Sequence, residues 1–446
     1  MIRLIPPYQH EGVAWMKKRE TNKGGFLCDE MGLGKTVQML KVMVDNRKPK
    51  TLIVVPKSLV SQWESEIKKF TKFSVECFDG PNRSVKGSEI CVTSYSILGD
   101  ESLPLEWDRI VLDEAHFIRN SSTQVYKSVM RFKSDIKWVL TGTPIFNNMK
   151  DFVTLAKFVG LSVGQVQRNY GDICSEFVLR RTKACLRVSM VPCEFENIEL
   201  EMPPNEKVLY DEVYEDFCNT IKYNANMMDI LEAFLRCRQI CVWPQLYYDG
   251  IYKKGGEEQM EWVGSTAKID CLIENIKMHP NEKTLVFTQF TGEANKIREL
   301  LEAENRPVFT LNGSTKDREG VIKEFKKAVN SAVFLIQIKT GGVGLNLQEA
   351  SRVYITHPSW NPATEMQAIA RAHRTGQTRV VRIKKLLYVH ENSIETEIVE
   401  LQNAKAMVCA KILNDPSLLS QIPKVHTVSN FIFKIGKSIR DPPSPL

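Results

Sequence analysis

The sequence predicts two doubly wound α/β domains joined by a helical segment. Three observations carry this. Short apolar, β-branched runs alternate with helical stretches early in the chain, and again after Thr284. Between them, from Pro144 to about Thr266, the strand pattern stops and helix periods take over. The length, 446 residues, suits two to three domains rather than one.

The bulk composition excludes several classes. Hydrophobic residues make up 43% and charged residues 25%, ordinary for a packed globular chain. No apolar run approaches the ~20 residues that span a bilayer, and the N-terminus turns polar at once, so neither membrane insertion nor secretion is expected. Eleven cysteines are scattered without Cys-x-x-Cys spacing, which argues against zinc and disulfides and for reduced thiols. Cys237 and Cys241, one helical turn apart in an apolar segment, read as buried. A net charge of +7 is compatible with a polyanionic partner.

The chain opens with a turn and an amphipathic helix, Leu4 to Trp15. Gln9 lies there; its amide can donate to and accept from an adenine edge, yet taken alone it reads as a surface glutamine. Next comes Asp29-Glu-Met-Gly-Leu-Gly-Lys-Thr36, followed by apolar residues at helical spacing. Its glycines let backbone amides wrap a phosphate chain at a helix N-terminus. Lys35 reaches the β- and γ-phosphates, and the Thr36 hydroxyl suits Mg²⁺. One departure is Asp29, where the general pattern has glycine.

Four strands follow: Thr51–Pro56, Ile90–Ser94, Arg109–Asp113 and Trp138–Thr143. Asp113 and Glu114 fall at a strand's carboxyl end, where ligands bind on such sheets. Asp113 faces a metal held by the phosphates, and Glu114 polarises an attacking water. The helical segment carries Asp151–Gly160, Glu206–Cys218 and Met227–Val242. Within it Arg180, Arg181 and Lys183 either meet phosphate or are solvated; the sequence leaves both open.

The strand pattern resumes at Thr284–Gln289, Val308–Asn312, Ala332–Ile336 and Val353–Thr356. This domain has no Gly-Lys-Thr loop. It carries the Gly-rich turn Lys339 to Leu347 and the stretch Gln367 to Gln377. Arg371 and Arg374 are three apart, so they are expected to share one helix face. Two guanidiniums there can neutralise charge on a transferring phosphate, worth about 10³–10⁵ in rate where measured. The first domain has phosphate chemistry without a finger, and the second the converse, so ATP is expected between them. A charged amphipathic helix follows Glu391, and the end after Asp441 is proline-rich.

In their order these motifs resemble the SWI/SNF-type branch of superfamily 2 helicase-like ATPases. The matching pieces run from Pro7 to the helix after Glu391. They are Asp29–Thr36, Leu112-Asp-Glu-Ala-His116, Leu140-Thr-Gly-Thr-Pro-Ile145, Leu179-Arg-Arg-Thr-Lys183, Leu235 to Pro244, Leu345-Asn-Leu347, Trp360-Asn-Pro362 and Arg371 to Gln377. Asp29 belongs to this branch's own phosphate-loop form.

The resemblance implies two RecA-like lobes with helical protrusions and a C-terminal helical brace. Its divisions would be 1–190 for lobe 1 with a protrusion from about 145, 191–266 for linker and protrusion, 267–390 for lobe 2, and 391–446 for brace and tail. It implies ATP and Mg²⁺ as cofactors, and ATP hydrolysis coupled to movement on double-stranded DNA. Gln9 would read adenine, and Asp29, Glu30, Met31, Gly32, Leu33, Gly34, Lys35, Thr36 and Gly344 would contact nucleotide. Thr36 and Asp113 would hold the metal, Glu114 the water, and Arg371 and Arg374 the γ-phosphate. Thr141, Thr143 and Trp360 would couple hydrolysis to lobe movement. Lys57, Ser58, Ser94, Tyr95, Gln289, Lys339 and Thr340 would face DNA, where hydroxyls, amides and lysines track phosphates without reading bases.

Departures are Ala370 where the family usually has Asp, Thr375 where it has Ile, and His357-Pro-Ser-Trp in place of an Asp-rich version. No RING, bromodomain, chromodomain or SANT-like pattern occurs, so a minimal motor is expected, monomeric as the implied fold is by default, in a nuclear, viral or bacterial DNA compartment. Nucleosomes and other DNA-bound proteins are compatible loads. Two other readings stay open: an RNA- or single-strand-directed helicase, and a scaffold whose ATPase has decayed.

Overall fold

The computed structural model describes residues 7–81, 83–142, 149–183, 185–186, 191–223, 225–255, 260–264, 266–341, 345–374 and 376–413. The chain divides into two compact units, one built from residues up to Ser189 and the other from Met190 to Ala406.

The first unit carries seven strands: β1 (Gly24–Leu27), β2 (Thr51–Val55), β3 (Val75–Phe78), β4 (Ile90–Ser94), β5 (Arg109–Asp113), β6 (Ile136–Leu140) and β7 (Val178–Leu179). They form one parallel sheet in the order β3-β4-β2-β5-β6-β1-β7. Its helices are α1 (Pro7–Glu20), α2 (Lys35–Asp45), α3 (Val60–Phe70), α4 (Gln124–Met130), α5 (Met149–Val159), α6 (Val163–Arg168) and α7 (Tyr170–Phe177). Strands β2, β4 and β5 are buried along their whole length. That is why they read as continuous apolar runs rather than alternating ones. On one face Phe26, Leu52, Val54, Ile110, Leu112 and Val139 pack with Phe152, Leu155 and Phe158 of α5.

The second unit holds β8 (Cys193–Leu200), β9 (Thr284–Thr288), β10 (Val308–Leu311), β11 (Val333–Gln337), β12 (Arg352–Ile355) and β13 (Val381–Tyr388). These too are parallel, in the order β10-β11-β9-β12-β13-β8. Its helices are α8 (Pro204–Lys222), α9 (Met227–Ile240), α10 (Gln245–Tyr252), α11 (Ala267–Lys277), α12 (Thr291–Ala303), α13 (Arg318–Lys327), α14 (Ile338–Gly341), α15 (Pro362–Ile369) and α16 (Ile394–Leu413). Leu285, Phe334 and Val353 face one core, and Val286, Leu335 and Tyr354 face another with α11 and α12. Tyr210 and Phe217 of α8, Cys237 and Ile240 of α9, Cys241, and Ile394 and Leu401 of α16 form a further core. Cys237 and Cys241 are both fully buried there. Both units are therefore doubly wound, RecA-like α/β lobes.

The expected strands are present, but the region from Pro144 to about Thr266, where the strand pattern is expected to stop, is not free of strands. It contains β7 and the eight-residue β8, which pairs with β13 from Cys193–Val381 through Leu200–Tyr388. β8 reads Cys-Glu-Phe-Glu-Asn-Ile-Glu-Leu, an edge strand whose acids meet a basic neighbour: Glu194 pairs with Arg382 and Glu196 with Lys384, both at 3.2 Å. Such a strand gains its stability from cross-strand partners nearly two hundred residues away, which local apolarity does not reveal. Strands β1, β3 and β13 were likewise not expected.

Candidate nucleotide and nucleic-acid sites

The phosphate-loop segment joins β1 to α2. Gly32 and Gly34 take φ values of 89° and 78°, the left-handed region open to glycine. At Gly34 a side chain is also barred by space: a Cβ there would lie 2.6 Å from the Gln9 amide nitrogen. That nitrogen donates to the Leu33 carbonyl at 3.3 Å, as does the Tyr8 hydroxyl. Gln9 thus sits on the loop itself rather than as a free surface residue. Lys35 donates from Nζ to the Asp29 carbonyl at 2.8 Å. Thr36 follows in the first turn of α2, half-buried, where helix amides supply partial positive charge.

The carboxylates lie one strand away. β6 separates β1 from β5, so the loop and Asp113 share one carboxyl edge of the sheet. Asp113 is buried. Its Oδ1 accepts from the Glu114 amide and its Oδ2 from the Trp63 indole nitrogen, both at 2.9 Å. Burial, then the neighbouring Glu114 charge, push its carboxyl up to about 6, while Trp63 and the Lys35 ammonium pull the other way. Glu114 takes φ 49° in the left-handed region, an uncommon conformation for a residue with a side chain. Its carboxylate lies 3.4 Å from His116 Nδ1. Thr141 is buried and donates its amide to Leu27 at 3.2 Å, at the same edge. A Cβ at Gly142 would come 3.0 Å from Met31 and 3.6 Å from Lys35 Nζ. One lobe therefore gathers Gln9, Lys35, Thr36, Asp113, Glu114 and Thr141. Thr143 lies outside the described residues.

Asp29 answers the question its departure raised. Its carboxylate is fully buried, and Arg181 donates to it twice, from Nε at 2.9 Å and Nη2 at 2.5 Å. Arg181 is therefore neither solvated nor set out to meet phosphate. Arg180 donates to the Cys28 and Gly142 carbonyls at 3.1 and 3.2 Å, and Lys183 pairs with Glu30 at 3.4 Å. The sequence leaves Arg181 between phosphate and solvent and does not single out Gln38 or Trp63. The one available signal was an unexplained buried-type Asp in a motif that otherwise wants glycine.

Of the residues expected to face DNA, Lys57 and Ser58 are exposed just beyond the carboxyl end of β2. Ser94 and Tyr95 are not; here the expectation is corrected. Ser94 is fully buried with its Oγ 2.8 Å from Ser96 Oγ. Tyr95 is buried, donates its hydroxyl to the Asp113 carbonyl at 2.8 Å and stacks on Phe117 at 5.1 Å. Both side chains are directed into the lobe, and Tyr95 braces the strand end that carries the carboxylates.

In the second lobe, β9 and β11 are neighbours, so Gln289 and the pair Lys339 and Thr340 share a carboxyl edge. Lys339 is exposed, and Gln289 and Thr340 are half-buried. Gly344 and Thr375 lie outside the described residues. Arg371 and Arg374 do not share a helix face, because α15 ends at Ile369 and Ala370 begins a turn. Gln377 holds that turn: its Nε2 donates to the carbonyls of Gln348, Ala350 and Ala372 at 3.0 to 3.1 Å, and its Oε1 accepts from the amides of Thr378 and Arg379. Arg371 is buried, and Arg374 donates to Leu345 at 3.5 Å. Trp360 packs edge-on against Phe234 at 5.3 Å, with the Lys405 ammonium 5.0 Å over its ring. His357, the departure beside it, is buried between Arg238, which donates to Nε2 at 2.7 Å, and Glu395, 2.5 Å from Nδ1. Burial and the Arg238 charge push its imidazole down to about 3, so it bridges the two as a neutral ring.

The chain is similar to several known proteins. A Mycoplasma pneumoniae protein named an uncharacterized ATP-dependent helicase is 30% identical over 92% of this chain, which spans 42% of that relative's length. A probable global transactivator of Orgyia pseudotsugata multicapsid polyhedrosis virus is 28% identical, over 92% of each. The mouse SWI/SNF-related matrix-associated actin-dependent regulator of chromatin subfamily A member 1 is 27% identical over 93% of this chain and 44% of its own. A solved Sulfolobus solfataricus SWI2/SNF2 ATPase core in complex with dsDNA aligns at a TM-score of 0.43, with 27% identity, covering 96% of this chain and 98% of that one. A family model for the helicase conserved C-terminal domain matches residues 267–376. A second family model, the SNF2-related domain, matches residues 8–246, more than half of the chain, and the protein belongs to that family.

Proposed function

We infer that the chain is a DNA-dependent ATPase that moves along double-stranded DNA and displaces or remodels what is bound there. The observation that carries this is the assembly at one sheet edge of Lys35 and Thr36, which open α2, with Asp113 and Glu114 at the end of β5. A hydroxyl and a buried carboxylate are hard oxygen donors, the set that suits Mg²⁺. Thr36 and Asp113 would hold that ion, which when bound offsets phosphate charge.

The chain's own groups do the rest. Loop amides and Lys35 bind and orient the phosphates. Glu114 orients the attacking water and draws its proton. Arg371 and Arg374 offset charge building on the transferring phosphate. Gln9, already on the loop, reads the adenine edge. Lys57, Ser58, Gln289, Lys339 and Thr340 track phosphates, which gives affinity without base readout. Thr141, Thr143 and Trp360 couple the two lobes. The relatives' names, a viral transactivator and a chromatin regulator among them, favour a role on DNA-bound proteins, nucleosomes included. The motor in this reading is a monomer.

The test is ATP hydrolysis by the purified chain with no nucleic acid, duplex DNA, single-stranded DNA or RNA, beside Lys35→Ala. Stimulation by duplex of about tenfold or more, abolished in the variant, is the expected result. Stimulation by RNA or single strands alone would favour the helicase reading. No hydrolysis under any condition would favour the decayed scaffold.

A further inference from the structure

The residues that follow β7 run beside the phosphate loop rather than away from it. Cys28 donates its amide to Leu179 at 2.7 Å, Glu30 to Arg181 at 2.9 Å, and Lys183 donates its own to Glu30 Oε2 at 2.8 Å. The first half of the loop is thus paired with Leu179–Lys183, the last described stretch but two residues before the chain enters the second unit.

Inside this pairing the Arg181 guanidinium turns inward. It reaches three elements at once. Nε and Nη2 hold the Asp29 carboxylate, Nη2 also donates to Gln38 Oε1 on α2 at 2.8 Å, and Nη1 donates to the Tyr8 carbonyl on α1. Gln38 closes the ring by donating to Asp29 Oδ2 at 3.0 Å. Space around it is tight: a Cβ at Gly12 would lie 2.6 Å from Arg181 Nη2 and 2.0 Å from Gln38 Oε1. Asp29 faces Lys35 with its other end, since its carbonyl accepts from Lys35 Nζ at 2.8 Å.

We propose that Arg181 is a positioning residue for nucleotide turnover: by clamping Asp29 it sets the phosphate loop, and through the Asp29 carbonyl the position of Lys35, in register with α1, α2 and the segment leading to the second unit. The proposal rests on the ATPase reading. The fork is essential because a guanidinium has five donors in fixed directions, whereas an ammonium is a point charge on a flexible stem. A loop displaced by about 1 Å at a phosphate site is enough to cost on the order of a hundredfold in rate.

The experiment compares the full chain with Arg181→Lys, Asp29→Asn and Lys183→Met. A fluorescent ADP gives nucleotide affinity without any need for turnover; ATP hydrolysis with and without duplex DNA gives kcat and KM; thermal melting reports folding. Arg181→Lys keeps the charge and loses the fork. It is expected to remain folded, bind ADP about tenfold more weakly and lose about tenfold or more in kcat. Asp29→Asn, which keeps the side-chain shape, is expected to weaken ADP binding about threefold. Lys183→Met removes the neighbouring ion pair and is expected to leave ADP affinity within about twofold. A folded Arg181→Lys protein with wild-type ADP affinity and kcat overturns the proposal. So does a loss in Lys183→Met equal to that in Arg181→Lys, which would assign the effect to the segment and not the fork. If Arg181→Lys fails to fold, unchanged ADP affinity in Asp29→Asn overturns it and the expected weakening supports it. A wild-type protein that hydrolyses no ATP with any nucleic acid sinks the ATPase reading alone, and the ADP measurements still decide on Arg181.

Discussion

The Trp63 indole donates to Asp113 Oδ2 at 2.9 Å, and both side chains are buried. A tryptophan on the buried face of α3 passes for core packing, and its N–H fixes one oxygen of the candidate metal-holding carboxylate. The bond favours the charged form, against burial and Glu114, which favour the neutral one. Trp63→Phe removes the donor and keeps most of the volume, so the Asp113 carboxyl should rise further. A higher value leaves less ionised carboxylate at any pH below it. The acid limb of the ATPase pH profile should therefore move up by about one unit, with the loss greatest near about pH 6 and nearly gone by about pH 8.5. A pH series of kcat/KM on the two proteins checks it; parallel profiles would refute it.

Glu206 in the second unit makes the opposite kind of prediction, about stability. It is buried, with the Tyr388 hydroxyl at 3.0 and 2.9 Å from its oxygens, and burial pushes it up to about 7. Its folded value lies above the unfolded one, so its contribution is greatest below the unfolded value and is lost as pH rises through the folded one. Glu206→Gln does not titrate. The variant should gain on wild type between about pH 4.5 and 7.5, by up to about 3 kcal/mol. Melting temperatures of both proteins across that range give the difference; a constant offset would sink the idea.

At the opposite edge of the first sheet, Arg109 and Glu20 form a buried pair at 2.6 Å, and Glu20 also accepts from the Trp138 indole at 2.9 Å. This anchors the end of α1, whose other end carries Tyr8 and Gln9. Arg109→Met strands a buried carboxylate and should destabilise the unit by about 3–5 kcal/mol. Replacing Glu20 by Gln in the same protein should recover part of that. Denaturant unfolding of the full chain, followed by tryptophan emission, measures both.

Gln377 satisfies five backbone groups around the turn bearing Arg371 and Arg374. Gln377→Ala leaves those groups without their partner and lets both guanidiniums drift. A loss of about tenfold to a hundredfold in kcat is expected, with nucleotide affinity little changed, because in the proposed function the arginines act on the transition state. Equal losses in affinity and kcat would count against that role.

Much of the candidate nucleotide site was legible in the chain itself. Glycine spacing, a lysine and hydroxyl at a helix start, and acids ending an apolar strand are local patterns, and each is required by backbone geometry or by phosphate chemistry. The buried parallel strands were legible for the same reason, since burial on both faces leaves a run with no polar positions. What only the tertiary structure decided were contacts between residues far apart in sequence. Asp29 and Arg181 are separated by 152 positions, and β8 meets β13 across 188. Ser94 and Tyr95 share residue types with phosphate-tracking positions, and their burial depends on which helices cover β4. The turn at Ala370 likewise overrides a spacing that reads as helix. A charged or hydroxyl side chain carries the same local signal whether it meets water, phosphate or a buried partner, because that choice is made by the topology that brings the partner to it.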